Sequence, residues 1–172
     1  MPVDVGTKAP DFTLVDQDRN QVTLSAQKGH PVVLVFFPAA FSSVCTKELC
    51  TFRDSMARLN SAHAQVYGIS VDTFFTLNAF RTQQGLTFPL LSDFNKEVIQ
   101  AYGCYNPDMI GLHGIAKRAV FVIDADGVVR HCEIPRGRPQ RARLRRRLRH
   151  AREGVGRRAE VRGRRTGTRD TG

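Results

Sequence analysis

Residues 36–50, FFPAAFSSVCTKELC, hold the side chains best suited to chemistry: Cys45 and Cys50, Ser42 and Glu48, all following Pro38. A cysteine acts as a nucleophile only as its thiolate, so the surroundings of each thiol decide what it does. The run HPVVLVFFP ahead of the segment is continuously apolar and ends at Pro38, which predicts a central strand buried on both faces. From Cys45 to about Leu59 the apolar residues Leu49, Phe52, Met56 and Leu59 recur at spacings of three and four, which predicts an amphipathic helix. The strand thus delivers the chain to Pro38, a loop crosses the strand's C-terminal edge, and Cys45 falls in the first turn of the helix. Unpaired N–H groups and the positive end of the helix dipole favour a thiolate there. Position alone leaves one alternative, a small buried apolar residue.

The elements that must hold this segment alternate between strand and helix. Two β-rich runs, residues 12–15 and 21–24, flank a polar turn and predict a hairpin. AQVYGISVD reads as a strand, residues 74–84 as a helix ended by Gly85, and TFPLLSD as a short extended piece. NKEVIQAYG reads as a helix from about Phe94 with Gly103 at its C-terminal end. RAVFVIDADGVVRHCEI predicts a hairpin about Asp126-Gly127. A buried β-α-β unit followed by a C-terminal hairpin outlines an α/β, thioredoxin-like fold with a central mixed sheet flanked by helices.

Pro38, Ser42 and Cys45 match the Pro-x-x-x-Thr/Ser-x-x-Cys motif of the peroxiredoxins, with Ser in the Thr/Ser place. APDFTL, the buried strand, TFPLLSD and RAVFVIDADGVVR also resemble landmarks of that family, so the resemblance covers about residues 3–134. Within the family the chain is most similar to the bacterioferritin comigratory (Q-type) and alkyl hydroperoxide reductase E groups. The resemblance implies a thiol peroxidase that reduces hydrogen peroxide and organic hydroperoxides through a cysteine sulfenic acid. It makes Cys45 the peroxidatic cysteine, Ser42 the hydroxyl that bonds the peroxide, Pro38 the shield of the thiolate and Arg118 the guanidinium beside it.

Ionisation cannot supply the catalysis by itself. An ordinary thiol with a pKa of ~8.5 is already a few per cent ionised at neutral pH, so full ionisation gains only about tenfold to thirtyfold. The rest must come from holding the O–O bond in line with sulfur and stabilising the departing oxygen. Ser42, the backbone N–H of Cys45 and Arg118 are the expected donors. Arg118, at the start of an apolar strand, reads without the resemblance as readily as an edge residue in water. Glu48 is expected to favour the helix start, with a second role in orienting donors near the thiolate.

Cys50 resembles the resolving cysteine of the Q-type group, which implies an intramolecular disulfide recycled by thioredoxin or a glutaredoxin-like dithiol. In an intact helix, residues five apart are separated by ~7.5 Å along the axis and ~140° around it, too far for a disulfide, so the helix must open locally first. If Cys50 is instead a buried helical thiol, the protein is a one-cysteine peroxidase recycled by a low-molecular-weight thiol. Cys104 reads as a loop or core thiol, with an alternative role as resolving partner, and Cys132 as structural. The four cysteines lack zinc-site spacing, the five His form no paired pattern and no Gly-rich phosphate loop is present, so neither metal nor cofactor is expected.

Composition bounds the rest. The chain's 172 residues, 41% of them hydrophobic, suit one domain with a real core. The longest apolar run is about half of what a bilayer requires, and residues 1–8 do not resemble a secretory signal, so a soluble, cytoplasmic protein is expected, monomeric or homodimeric. The net charge of +10 is not spread evenly: residues 1–132 are at −1, whereas residues 133–172 hold 15 Arg, no Lys and four acids. Domain organisation is therefore expected to be a peroxiredoxin domain, 1–134, and an irregular basic tail, 135–172, in which only Leu144 and Leu148 have a helical spacing. The family ordinarily continues into a packed helix. Arg, Gly and Ala without Lys are what a GC-rich reading frame produces out of register, so the tail reads as frameshifted from about Arg136 or as a disordered basic extension.

Two rivals remain open at this stage. A dithiol oxidoreductase would resemble Cys-x-x-Cys, which is absent. A polyanion-binding or chaperone-like protein would act through the Arg-rich tail, binding nucleic acid nonspecifically by counterion release.

Overall fold

The run Val-Val-Leu-Val-Phe forms β3 (Val32–Phe36), with every residue buried, inside a seven-stranded mixed sheet. The computed structural model describes residues 3–55 and 63–134. Sheet order is β2 (Gln21–Thr23), β1 (Thr13–Asp16), β5 (Leu90–Ser92), β4 (Gln65–Ser70), β3, β8 (Ala119–Ile123), β9 (Val129–Glu133). β4 (Gln65–Ser70) runs parallel to β3, and β8 (Ala119–Ile123) runs antiparallel on its other side, pairing Phe36 with Ala119. β5 (Leu90–Ser92) extends the sheet beyond β4, and β9 (Val129–Glu133) closes the edge beside β8. Gly68 suits the close packing on β4, since a Cβ there would lie 2.6 Å from Leu90 Cδ2 and that buried side chain would have to shift.

Alternation along β3 divides the core in two, because successive strand side chains point to opposite faces. Val33, Val35 and Phe37 pack with Leu49 and Phe52 of α1 (Ser43–Asp54) and with Leu77 and Phe80 of α2 (Phe74–Gln84). Leu34 and Phe36 pack on the other face with Tyr102, Cys104 and Phe121. Each of these fully buried aliphatic or aromatic side chains contributes ~1.5–3 kcal/mol, and α1 is held to the sheet by two of them. Met56 and Leu59, expected to extend its apolar stripe, lie outside the described residues, as do Leu144 and Leu148.

The predicted helix ended by Gly85 is present with that residue at φ 59°, the left-handed cap that glycine adopts without strain. The predicted β-α-β unit and terminal hairpin are also present. The first hairpin joins β1 (Thr13–Asp16) to β2 (Gln21–Thr23), and Leu24, assigned to the strand from sequence, instead begins a 3-10 turn, Leu24–Gln27. The helix expected from Phe94 starts later, as α3 (Glu97–Ala101). Its N-cap residue is Lys96, at φ 63°, and the Asp93 carboxylate accepts from the N–H groups of Glu97, Val98 and Ile99 at 3.0, 3.2 and 2.7 Å, while residues 94–96 are spent on a turn. A small second sheet of β6 (Tyr105–Asn106) and β7 (Ile115–Ala116) was not anticipated, since two-residue strands carry no periodicity.

Candidate active site

β3 ends at Phe36, and the Phe37 N–H still donates to the Ile69 carbonyl at 3.0 Å, so the chain leaves the sheet at Pro38, which is buried. The following loop is fastened from β4's side. Asp72, just beyond that strand, accepts from the Ala40 N–H at 2.8 Å and from the Ser70 hydroxyl at 2.7 Å. Phe41 then adopts φ 62°, a costly conformation for a bulky residue. Its ring meets Phe80 of α2 edge-on, with centroids 5.0 Å apart. Asp72 was not singled out from sequence. Its only signal is an acid immediately past a strand neighbouring β3, at the sheet end where the loop must cross.

Ser42 caps α1. Its Oγ accepts from the Cys45 N–H at 3.4 Å, and its carbonyl accepts from the Thr46 hydroxyl at 2.9 Å. A serine cap of this kind is worth ~1 kcal/mol to the helix. The cap occupies the Cys45 N–H, one of the donors expected to face substrate, but leaves the Ser42 hydroxyl hydrogen free for another oxygen.

Cys45 is in the first turn of α1 with no exposed surface, and Arg118 Nη1 donates to its Sγ at 3.2 Å. The same nitrogen lies 3.2 Å from Glu48 Oε2, one turn further along α1, in an ion pair whose side chains are 14% and 4% exposed. Arg118 arrives from the residue preceding β8, whose pairing with β3 brings it across from the motif. A guanidinium donor and a helix N-terminus therefore converge on one sulfur. Glu48 thus pairs with the same guanidinium that faces Cys45.

All four cysteines are free. Cys50 is half-buried on α1 and its Sγ donates to Gln84 Oε1 at 3.9 Å. Cys104 is wholly buried on the opposite face of the sheet, with its thiol 3.6 Å from the Tyr102 carbonyl. Burial first, and then the neighbouring Cys132, push its pKa up to about 12 against the pull of Lys117. Cys132 lies in β9 as expected, its Sγ 4.0 Å from the Val3 carbonyl, and burial raises its pKa too. Among the described residues there is no group of three or more His, Cys, Asp or Glu side chains able to hold a metal ion, and no helix is long and apolar enough to cross a membrane.

A buried thiol in the first turn of a helix, faced by a guanidinium at the end of a mixed sheet, is the arrangement to set beside known proteins. The family model for the AhpC/TSA family matches residues 5–132. Alkyl hydroperoxide reductase E of Mycobacterium tuberculosis is 43% identical over 135 residues, covering 77% of this chain and 86% of its own. Peroxiredoxin Q of Oryza sativa subsp. japonica, a chloroplastic protein, is 41% identical over 129 residues, covering 75% of this chain and 58% of its own. The crystal structure of peroxidoxin BcpB from Mycobacterium tuberculosis superposes with a TM-score of 0.78 at 32% identity, covering 88% of this chain and 97% of that one. The chain belongs to the AhpC/TSA family and is a peroxiredoxin, a thiol-dependent peroxidase with a thioredoxin-like fold.

Proposed function

We propose that Cys45 is the peroxidatic residue, and the observation that carries this reading is the Arg118 donor 3.2 Å from its sulfur, held by the buried Glu48. The Cys45 thiolate attacks one oxygen of a hydroperoxide. An S–O bond forms, the O–O bond breaks, and the departing alkoxide or hydroxide takes a proton to leave as alcohol or water. Arg118 and the Ser42 hydroxyl are the groups placed to bind the two oxygens, and Pro38 walls off the sulfur from bulk water. Charge on the departing oxygen is what such donors stabilise, each typically worth about a hundredfold in rate.

Cys50 then resolves the sulfenic acid. Its thiolate attacks the Cys45 sulfur, the S–S bond forms, the S–O bond breaks, and hydroxide leaves as water. Because both residues belong to one helix, α1 must open between them before their sulfurs can meet. A dithiol of the thioredoxin or glutaredoxin kind reduces the disulfide and restores both thiols. The test is one equivalent of peroxide followed by non-reducing peptide mass spectrometry. A Cys45–Cys50 disulfide is expected, and thioredoxin-dependent turnover should stop in Cys50→Ser. Full turnover in that variant, or a Cys45–Cys104 disulfide, would overturn the assignment of Cys50, and the first would favour a one-cysteine peroxidase.

Residues 3–134 carry this chemistry in our reading, and residues from about Arg136 are an aberrant end rather than a polyanion-binding module. The family match stops at residue 132, beside the shift to Arg-rich composition. Reading the nucleotides around the codon for Pro135 tests it: an alternative frame encoding an amphipathic helix is expected, and its absence would leave a genuine basic extension whose RNA retention should fall steeply with salt.

A further inference from the structure

The resolving step asks one helix to do two things, to open near Cys45 and to keep Cys50 presented. Contacts at the two ends of α1 differ in a way that serves this. The first turn is held locally by Ser42, whose Oγ accepts from the Cys45 N–H at 3.4 Å and whose carbonyl accepts from the Thr46 N–H and hydroxyl, each at 2.9 Å. The last turn is fastened to α2. Arg53 Nη1 donates to the main-chain carbonyl of Gln84, the final residue of α2, while the side chain of the same Gln84 accepts from the Cys50 thiol at 3.9 Å. Arg53 and Cys50 are three residues apart on one helix, so they share a face. Asp54 orients the guanidinium through a 2.9 Å bond to Nε. Among the described residues, the charged groups on α1 near Cys50 are Lys47 and Arg53, one turn to either side, and Asp54, while Arg81 of α2 is turned to the Phe88 carbonyl.

We propose that Arg53 is a positioning residue for the resolving thiol: it anchors the second half of α1 to the end of α2 while the first half opens, and it keeps a positive charge beside Cys50 as that thiol attacks. The inference rests on Cys50 being the resolving residue. A cation also suits the C-terminal ends of both helices it joins, where carbonyls lack helical partners. The Arg53 pKa is raised chiefly by Asp54, with burial opposing and charge on Cys50 adding to the rise, so the cation persists at any pH at which resolution runs. At ~6 Å in water-like surroundings one positive charge favours a neighbouring negative charge about threefold. Loss of the anchor adds to that, because an opening that spreads through the last turn carries Cys50 away.

The experiment follows the full chain by quenched flow after one equivalent of hydrogen peroxide, with alkylation and mass spectrometry separating Cys45 thiol, disulfide and sulfinic acid. In Arg53→Gln the consumption of the Cys45 thiol should stay within twofold of wild type, disulfide formation should slow by threefold or more, and the sulfinic fraction should rise at excess peroxide. Arg53→Lys should restore at least half of the disulfide-forming rate. Disulfide formation in Arg53→Gln at or above the wild-type rate, an equal slowing of both steps, or no rescue by lysine would each overturn the proposal. Cys50→Ser, run alongside, keeps the two readings separable: a thioredoxin-reducible disulfide persisting there removes Cys50 itself, whatever Arg53 does.

Discussion

Cys45 and Cys104 lie on opposite faces of one sheet, and neither has any exposed surface. Around Cys45 there is a guanidinium at 3.2 Å, a helix N-terminus and a capping hydroxyl; around Cys104 there are a backbone carbonyl and the aromatic layer of Tyr102 and Phe121. Burial alone drives a thiol toward its neutral form, as at Cys104, whose pKa is pushed up to about 12. What separates the two thiols is therefore the set of groups facing each, not its depth, and on the proposed reading that set is what makes Cys45 the reactive one.

The comparison breaks most sharply on removal of each sulfur. Cys45→Ser should abolish hydroperoxide consumption, a fall of more than ~1000-fold, because an alcohol is almost wholly protonated at neutral pH. Cys104→Ala should leave the second-order rate with peroxide at the wild-type value and instead lower unfolding free energy by ~1–2 kcal/mol, measured by urea denaturation. Measurable peroxide turnover in the first variant, or a large rate loss in the second, would reverse the roles.

Arg118→Met tests the donor itself. The rate with peroxide should drop about a hundredfold while Cys45 remains titratable by a thiol reagent. Glu48→Gln, which leaves the guanidinium in place but less firmly aimed, should slow the same step by about tenfold, the equivalent of ~1.4 kcal/mol. An order of losses with Glu48 first would mean that the carboxylate does more than position Arg118.

A pH series gives the smallest and most specific effect. The native Cys104 pKa is above its ordinary value of 9.0, so the unfolded chain releases the proton first. Stability attributable to this thiol is fully present below pH 9 and is lost as pH rises toward 12, at ~1.4 kcal/mol per pH unit. Denaturation curves from pH 8 to 10.5 should therefore fall more steeply for wild type than for Cys104→Ala, and parallel curves would show that the buried thiol is not the cause.

Local pattern alone determined a good deal of this protein. The apolar run into Pro38, the three-four spacing after Cys45, the Gly85 stop and the Asp126-Gly127 turn specify β3, α1, the end of α2 and the last hairpin, since strand and helix periods and turn chemistry are properties of neighbouring residues. They also place Cys45 at a helix start. The start of α3 was misjudged because Asp93, one residue before the expected start, accepts from N–H groups four to six residues on, at Glu97, Val98 and Ile99. Arg118 could be named as a partner of Cys45 from family resemblance, but its position in the residues themselves read as readily as an edge in water. The pairing of Phe36 with Ala119 is what brings it, 73 residues away in sequence, to the sulfur. The same holds for Asp72 on the Ala40 amide and for Arg53 on the end of α2. Contacts between distant segments depend on strand register and helix docking, which the packing of the whole core decides and no local pattern encodes.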